Sequence, residues 1–280
     1  MKNIHLKKID QITEYRKFSI ATWKSNHDPN TSTVIELRME KALDYMKVFR
    51  KKNKHPAIIL HLVIKAVAAA LSELPEANVL LRFNKFYYRS GATISASVVD
   101  KEGELYNIRI ENTDKKSLLD IVKEVNAEAK RVRETDKTTG DNIFLPKMPS
   151  ILYRPFLWIV SFLMFKLNIN LSFMRFPKDA FGVAEVTYIG ALGLDNAVLP
   201  LSPYINVPFI LGPGIIKDAP VIENGEVKVG KVMNLSISFD HRYIDGFHGA
   251  KIVGTLKRYL ENPFENFDGL SIDDHEIFER

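Results

Sequence analysis

Between Pro56 and Leu74 the chain reads PAIILHLVIKAVAAALSEL, and this stretch limits the possible folds more than any other. Proline stands in the first turn of a helix, where its missing N–H and fixed φ are tolerated. The apolar residues behind it are too dense for a single stripe, so most of the helix circumference must be covered. Such a helix belongs inside a core. The covering elements lie on both sides of it. Asn30–Met39 is strand-like and runs into a helix-patterned stretch, Glu40–Lys52. Phe86–Asp100 and Leu105–Ile110 carry β-branched and aromatic residues at strand spacing. From Ser117 to Arg133, Leu118, Ile121, Val122 and Val125 share one helical face with charges opposite. Strand signals return at Gly182–Ile189, Phe209–Gly212, Glu226–Lys231 and Met233–Phe239, with only a tight turn expected between the last two. A final helix is expected over Gly246–Glu261, where Ile252, Leu256 and Leu260 form a stripe. Strands interleaved with packed helices predict an α/β domain on a mixed sheet. No 20–50-residue repeat and no Gly/Ser- or Pro/Ala-rich linker divides the 280 residues, so one domain is expected.

Composition narrows the function. Lys and Arg exceed Asp and Glu by 39 to 34, and the charges are spread along the chain. That is too mild for wrapping a nucleic-acid duplex, although phosphate in a small ligand remains possible. Cysteine is absent, which excludes disulfides, a thiolate nucleophile and a cysteine-held metal. The remaining histidines, at 5, 27, 55, 61, 248 and 275, show no metal-ligand spacing, and no metal is expected. The first residues lack the apolar core of a secretory signal, so a cytoplasmic location is expected. The apolar run Pro155–Phe165 is too short to cross a bilayer, which takes about 20 residues.

The chemistry is concentrated at Asp240-His-Arg-Tyr-Ile-Asp-Gly246, where an alternating strand ends and a helix is about to begin. A histidine there projects from the rim of a rigid sheet. Imidazole ordinarily titrates near neutrality, so it can take a proton and return it. Asp245 follows four positions later, and Gly246 is expected to permit a tight approach. With the helix ending LKRYLENP, this string resembles the His-Arg-x-x-Asp-Gly signature of the dihydrolipoyl acyltransferases, the core subunits of 2-oxoacid dehydrogenase complexes, and of the related chloramphenicol acetyltransferases. Three further blocks agree in order and spacing: HLVIKAVAAALSELPEAN from His61, TDKKSLLDIVKEV from Thr113, and GVAEVTYIGALG over Gly182–Gly193.

The resemblance implies a fold, a reaction and a site. The fold is a chloramphenicol acetyltransferase-like two-layer sandwich, a mixed sheet covered by helices. The reaction moves an acyl group between coenzyme A and a second acceptor, in this family the thiol of a lipoyl group. His241 takes the place of the base, and Thr187 that of the hydroxyl which donates to the tetrahedral oxyanion. Glu185 and Tyr188 depart from the family's usual neighbours. Asp245 is implied to pair with an N-terminal arginine, here Arg16, and so to act as scaffold beside Gly246 and Arg242. Asp240 and Arg242 complete the motif with no chemical task visible in the sequence. The family further implies a homotrimer with active sites at subunit interfaces, which would bring His241 and Thr187 of different chains together.

The sequence also departs from the family. No lipoyl domain is read in it, so the acceptor is expected from a separate lipoyl carrier or from a different molecule class. Glu134-Thr-Asp-Lys137 imitates a lipoyl attachment hairpin but follows a charged helix, and no lipoyl group is expected on this chain. An atypical apolar insertion is expected at about 140–178. It could be a buried or partner-facing helix, a peripheral membrane contact through 151–175 flanked by Arg154, Lys166, Arg175 and Lys178, or a cover over a hydrophobic acyl site. Lys47–Lys54 could meet the phosphates of coenzyme A or form a solvated face. The C-terminal run from Asp268 is unlike the apolar end that joins trimers into cages. A catalytically silent trimeric scaffold, and a coenzyme A–dependent O- or N-acyltransferase acting on a small molecule or lipid, are the alternative functions.

Overall fold

The computed structural model describes residues 3–9, 30–99, 105–134, 150–174 and 176–270. Its strands are β1 (Leu6–Lys8), β2 (Asn30–Arg38), β3 (Val79–Arg82), β4 (Lys85–Arg89), β5 (Ile94–Val99), β6 (Leu105–Ile110), β7 (Ala184–Thr187), β8 (Phe209–Glu223) and β9 (Glu226–Asp240). Its α-helices are α1 (Glu40–Asn53), α2 (Ile59–Glu73), α3 (Leu118–Glu134), α4 (Ser150–Ser161), α5 (Gly246–Glu261) and α6 (Pro263–Asn266). Six strands form the main sheet in the order β2-β9-β8-β7-β5-β6, and β1-β4-β3 form a small second sheet. The main sheet is mixed, as expected: β7 runs parallel to both β5 and β8, and the other pairs are antiparallel.

The strand period of two separates the faces of the main sheet. Leu37, Leu235, Ile237, Phe209, Leu211, Ala184, Val186, Ile94, Ala96 and Ile108 share one face and join one core cluster with α2, α3 and α5. The helix from Ile59 to Glu73 lies at its centre, with eleven of its fifteen residues buried. The other face is more polar. Ser95, Ser97, Glu185, Thr187, Ser236 and Ser238 occupy the alternate positions. The 189–207 loop lies against part of it: Ser236 Oγ accepts from Ala197 N (3.0 Å), and Ser238 Oγ from Leu199 N (3.2 Å). Ile189, Leu199, Leu201, Val207 and Ile210 form a small cluster there.

Several boundaries differ from the sequence reading. Phe86–Asp100 divides into two strands of different sheets at Ser90-Gly91, and β1 and β3 had not been anticipated. The expected short strands at 209–212, 226–231 and 233–239 are the two arms of one long hairpin. The tight turn expected between 231 and 233 does not occur, because β9 runs straight through those residues; the hairpin turns instead at Asn224-Gly225, both with positive φ (53° and 83°), the backbone that an Asn-Gly two-residue turn favours. Gly182, at the entrance to β7, has φ 66°, and a Cβ there would lie 2.0 Å from Thr93 O. Only glycine suits that position.

The region of the expected apolar insertion contains α4 followed by a π-helical turn, Phe162–Lys166. Val160, Met164, Phe165 and Leu171 pack with Ile4 and Leu80. The opposite side is apolar and open, with Trp158 62% and Phe173 79% exposed. No helix among the described residues is long and apolar enough to cross a membrane.

Candidate active site

His241 sits in a turn held from several directions. Asp240 N donates to Pro208 O (2.7 Å), and Asp240 O accepts from Tyr243 N (2.9 Å) and Ile244 N (3.2 Å). The Asp240 carboxylate is 1% exposed and accepts from Arg242 N and Nε, at 3.0 and 2.9 Å, and from Arg242 Nη2. Asp240 and Arg242, which had no visible task in the sequence, thus form a buried charge-assisted clamp across the histidine between them. Tyr243 points into the core, where its hydroxyl accepts from Leu81 N (3.1 Å). Burial there raises its pKa to about 12. Leu81 O in turn accepts from Lys166 Nζ (3.1 Å) at the end of the apolar segment. Burial, then the nearby Arg242 and Arg82 charges, lowers the Lys166 pKa. The apolar segment therefore buttresses the strand beneath this turn. The His241 ring lies 6.4 Å from that of Phe239.

Asp245 is the N-cap of α5. Its Oδ1 accepts from His248 N (3.1 Å) and lies 2.5 Å from His248 Nδ1. The cap fixes where the helix begins, and such a carboxylate is worth about 1 kcal/mol. Arg16, its expected partner, lies outside the described residues. So do residues 135–137 of the lipoyl-like tetrapeptide and the C-terminal run from Ser271. A Cβ at Gly246 would meet nothing of the chain within 4 Å.

Thr187 ends β7 on the more polar sheet face, level with Ser97 of β5. Glu185 lies on the same face two residues earlier and accepts from Ser97 Oγ at 2.8 Å. Burial raises the carboxyl's pKa, and the Ser97 bond opposes that shift. Thr187 borders a cavity of about 590 Å³ between the ends of β5 and β7 and helices α2 and α3, with Lys130 and Arg133 on its rim. His61, which sequence reasoning left without a role, borders the same cavity. Its Nδ1 accepts from Ile58 N (3.0 Å), which caps α2, and burial holds its pKa down to about 4. The spacing of residues 58 and 61 at a helix start was the available signal, although histidine is not among the usual capping types.

Within one chain, His241 and Thr187 do not meet. Val186 is level with Leu211, and Leu211 with Ile237, four residues before His241. Thr187 continues past that row in the opposite direction. At ordinary strand spacings the two lie roughly 16 Å apart along the strands and 10 Å across them, about 19 Å in all. Among the described residues, no group of three or more His, Asp or Glu is placed to hold a metal.

The comparisons agree with this architecture. The curated dihydrolipoyllysine-residue acetyltransferase component of pyruvate dehydrogenase complex from Rickettsia bellii is 25% identical over 241 residues, 84% of this chain and 48% of that protein. The chain therefore spans about half the length of the curated relatives it matches. The crystal structure of a probable dihydrolipoamide acetyltransferase from Listeria monocytogenes superposes with TM-score 0.64 at 21% identity, covering 94% of this chain and 98% of that one. A chloramphenicol acetyltransferase structure gives TM-score 0.56 at 13% identity, covering 91% and 100%. The fold is thus that of chloramphenicol acetyltransferase. The family profile for the 2-oxoacid dehydrogenases acyltransferase catalytic domain matches residues 8–142 and 182–267. It passes over the segment that holds α4. With most of its length matched in this way, the chain belongs to the 2-oxoacid dehydrogenases acyltransferase (catalytic domain) family.

Proposed function

We propose that this chain moves an acyl group between coenzyme A and a dihydrolipoyl-type thiol, with His241 as general base and Thr187 of a neighbouring copy as oxyanion donor. The observation that carries the reading is the clamped turn that presents His241 at the sheet rim, between the Asp240–Arg242 pair and the Asp245 cap. In the proposed step, His241 accepts the thiol proton as sulfur attacks the thioester carbonyl. Thr187 donates to the oxygen that becomes negative. The tetrahedral adduct then expels the second sulfur, and the histidine returns the proton to it. Arg16 is proposed as the partner of Asp245, and the absence of a side chain at Gly246 leaves room for substrate or another copy.

The 19 Å separation within a chain supports a homotrimer whose active sites lie at subunit interfaces. So do Ile222, Val227 and Val229, which are 74–79% exposed towards the tip of the β8–β9 hairpin. The cavity beside Thr187 suits an extended acyl-CoA, with Lys130 and Arg133 available to its phosphates. One catalytic domain spanning residues 1–280, with the 140–178 region as an insertion, is part of this reading. A lipoyl carrier supplies the acceptor, in the cytoplasm. The open side of α4, with Trp158 and Ile159, is proposed to touch a membrane surface peripherally.

Glu185 favours a second reading. A half-buried carboxyl beside the proposed oxyanion donor offers a hydrogen-bond partner to a hydroxyl or amine acceptor, which a thiol does not need. Release of coenzyme A from acetyl-CoA and longer acyl-CoAs, with dihydrolipoamide, alcohols or amines as acceptor, separates the readings. Turnover with dihydrolipoamide that falls about 10²–10⁴-fold in His241→Ala supports the first. Turnover only with alcohols or amines supports the second. No release with any acceptor, together with unchanged assembly of His241→Ala, leaves the chain a silent scaffold.

A further inference from the structure

Segments 3–9, 79–89 and 150–174 meet in one corner of the fold, where Ile4, Leu80, Val160, Met164, Phe165 and Leu171 form a cluster apart from the main core. Together these 43 residues contain no Asp or Glu and carry seven Lys or Arg. At the chain's average of 34 acidic residues in 280, about five would fall there. The strand period decides where the charges lie. Leu6, Lys8, Leu80, Arg82, Lys85 and Tyr87 alternate onto the face of the small sheet that receives α4. Arg82 Nε donates to Lys166 O at 2.9 Å, which ties that face to the π-helical turn. Lys8 and Lys85 are exposed, as is Arg154 of α4, whereas Arg89 is neutralised internally by Asp179.

The same corner presents aromatic rings to solvent. Arg154, Trp158 and Phe162 follow one another at four-residue intervals and so lie along one side of the helix. Trp158 stacks on Phe162, with ring centroids 5.6 Å apart, and Phe162 meets Phe83 edge-on at 6.3 Å. Phe83 begins the two-residue turn between β3 and β4 with φ 45°, ahead of Asn84 at 60°. That backbone suits Gly or Asn, and a bulky residue adopts it only with strain. The Phe83 side chain is left 57% exposed, so burial within this chain does not offset the strain.

We propose that this corner docks on a bilayer rich in anionic phospholipid, with Trp158, Phe162 and Phe83 seated among the headgroups and Lys8, Lys85 and Arg154 against lipid phosphates. The inference rests on the peripheral membrane contact proposed above for α4; it extends that contact to the small sheet and names the lipid. Exposed aromatic rings alone would suit a protein partner equally. A corner built without one carboxylate suits a sheet of negative charge, and it would repel the same face of a second copy.

Flotation of the full chain with vesicles of phosphatidylcholine alone, or with about one quarter phosphatidylglycerol, tests the proposal. Binding is expected with the anionic vesicles, weakening as salt rises, and much less with the neutral ones. Lys85→Gln is expected to weaken it about fivefold, the share of one cation near an anionic surface. Phe83→Asn, which suits the turn backbone, is expected to weaken it about tenfold while leaving the melting temperature equal or higher. In Trp23→Phe, Trp158 is the one remaining tryptophan, and its emission is expected to shift to the blue when anionic vesicles are added. Equal binding to neutral vesicles, or indifference to salt, overturns the anionic assignment and leaves the contact through α4 standing. No binding to either vesicle overturns both. A blue shift that follows protein concentration without lipid assigns the corner to a second copy and overturns the proposal, as does unchanged affinity in Lys85→Gln and Phe83→Asn.

Discussion

Mixing two inactive variants tests how the site is assembled. His241→Ala removes the proposed base, and general-base catalysis is worth about 10²–10⁴-fold. Thr187→Ala removes the proposed oxyanion donor, worth about 10²–10³-fold in comparable sites. Each variant alone should be nearly silent. The pairing registers place the two side chains about 19 Å apart in one chain, far beyond reach of a common carbonyl. A working site then needs His241 from one copy and Thr187 from the next around a closed ring. When equal amounts of the variants are dissociated and reassembled at random, a given interface has an even chance of receiving an intact His241. It has a second even chance of receiving an intact Thr187. About one quarter of the wild-type coenzyme A release should therefore return, from two preparations with almost none. The assay is acyl-CoA turnover with dihydrolipoamide before and after reassembly, with mixed oligomers verified by native mass spectrometry. If mixed oligomers form and activity stays at the residual level, the two groups do not serve one site across chains, and the mechanism fails with them.

Three further outcomes follow from the buried groups. His61 is neutral and held down to about 4 from an ordinary 6.5 by burial. The unfolded chain therefore gains its proton first as pH falls, and up to about 3 kcal/mol of stability should be lost between those values. His61→Asn keeps a capping acceptor and cannot titrate there, so in urea unfolding its stability should vary less with pH across that window; an unchanged acid profile would count against the assignment. Glu185 has a raised pKa, so the folded state keeps its proton longer than the unfolded chain does. Its contribution to stability should be present below the ordinary carboxylate value and lost as pH rises through the folded one. Glu185→Gln should flatten that loss in thermal melts. Asp240→Asn removes the charge facing a guanidinium that is 9% exposed and should cost about 3–5 kcal/mol; a loss below about 1 kcal/mol in denaturant titrations would show that the clamp is not what holds the His241 turn.

What the sequence could reveal depended on how local the cause was. The helix Gly246–Glu261 was read at its observed bounds because its stripe of Ile252, Leu256 and Leu260 lies within it, and its cap, Asp245, immediately precedes it. The core helix was read from Pro56 but starts at Ile59, because its orphan donor is satisfied by His61, an unusual capping residue. β8 runs on past Gly212, where the sequence reading ended it, through prolines at 213 and 220, although proline breaks a ladder in central strands. The fold removes that objection. β7 accompanies β8 only to Leu211, and Pro213 borders the register shift in the hairpin, so the missing donors fall at an irregularity or on an open edge. The His241 motif was legible for the same local reason, whereas its distance from Thr187 was not. That distance is a property of strand order, in which β9 and β7 are separated by β8 and point opposite ways.

The cavity beside the Arg89–Asp179 pair lies furthest from what a sequence can display. Arg89 ends β4, Arg109 lies in β6, His5 precedes β1, and Lys178 and Asp179 enter from beyond α4. No two of these segments share a periodicity, and the ion pair that orients the guanidinium spans ninety positions. Lys178 and Asp179 belong to the 143–181 segment that the family profile passes over. The segment docks by its own apolar cluster on Ile4 and Leu80, while Asn168 ties the backbone of Ile4 through both of its amide atoms, each at 2.7 Å. Once docked, it carries Asp179 to an arginine of β4 and Lys166 to the carbonyl beneath the His241 turn. The Arg89–Asp179 ion pair and the support beneath the His241 turn thus depend on the same packed segment. Loosening its apolar face should disturb both together.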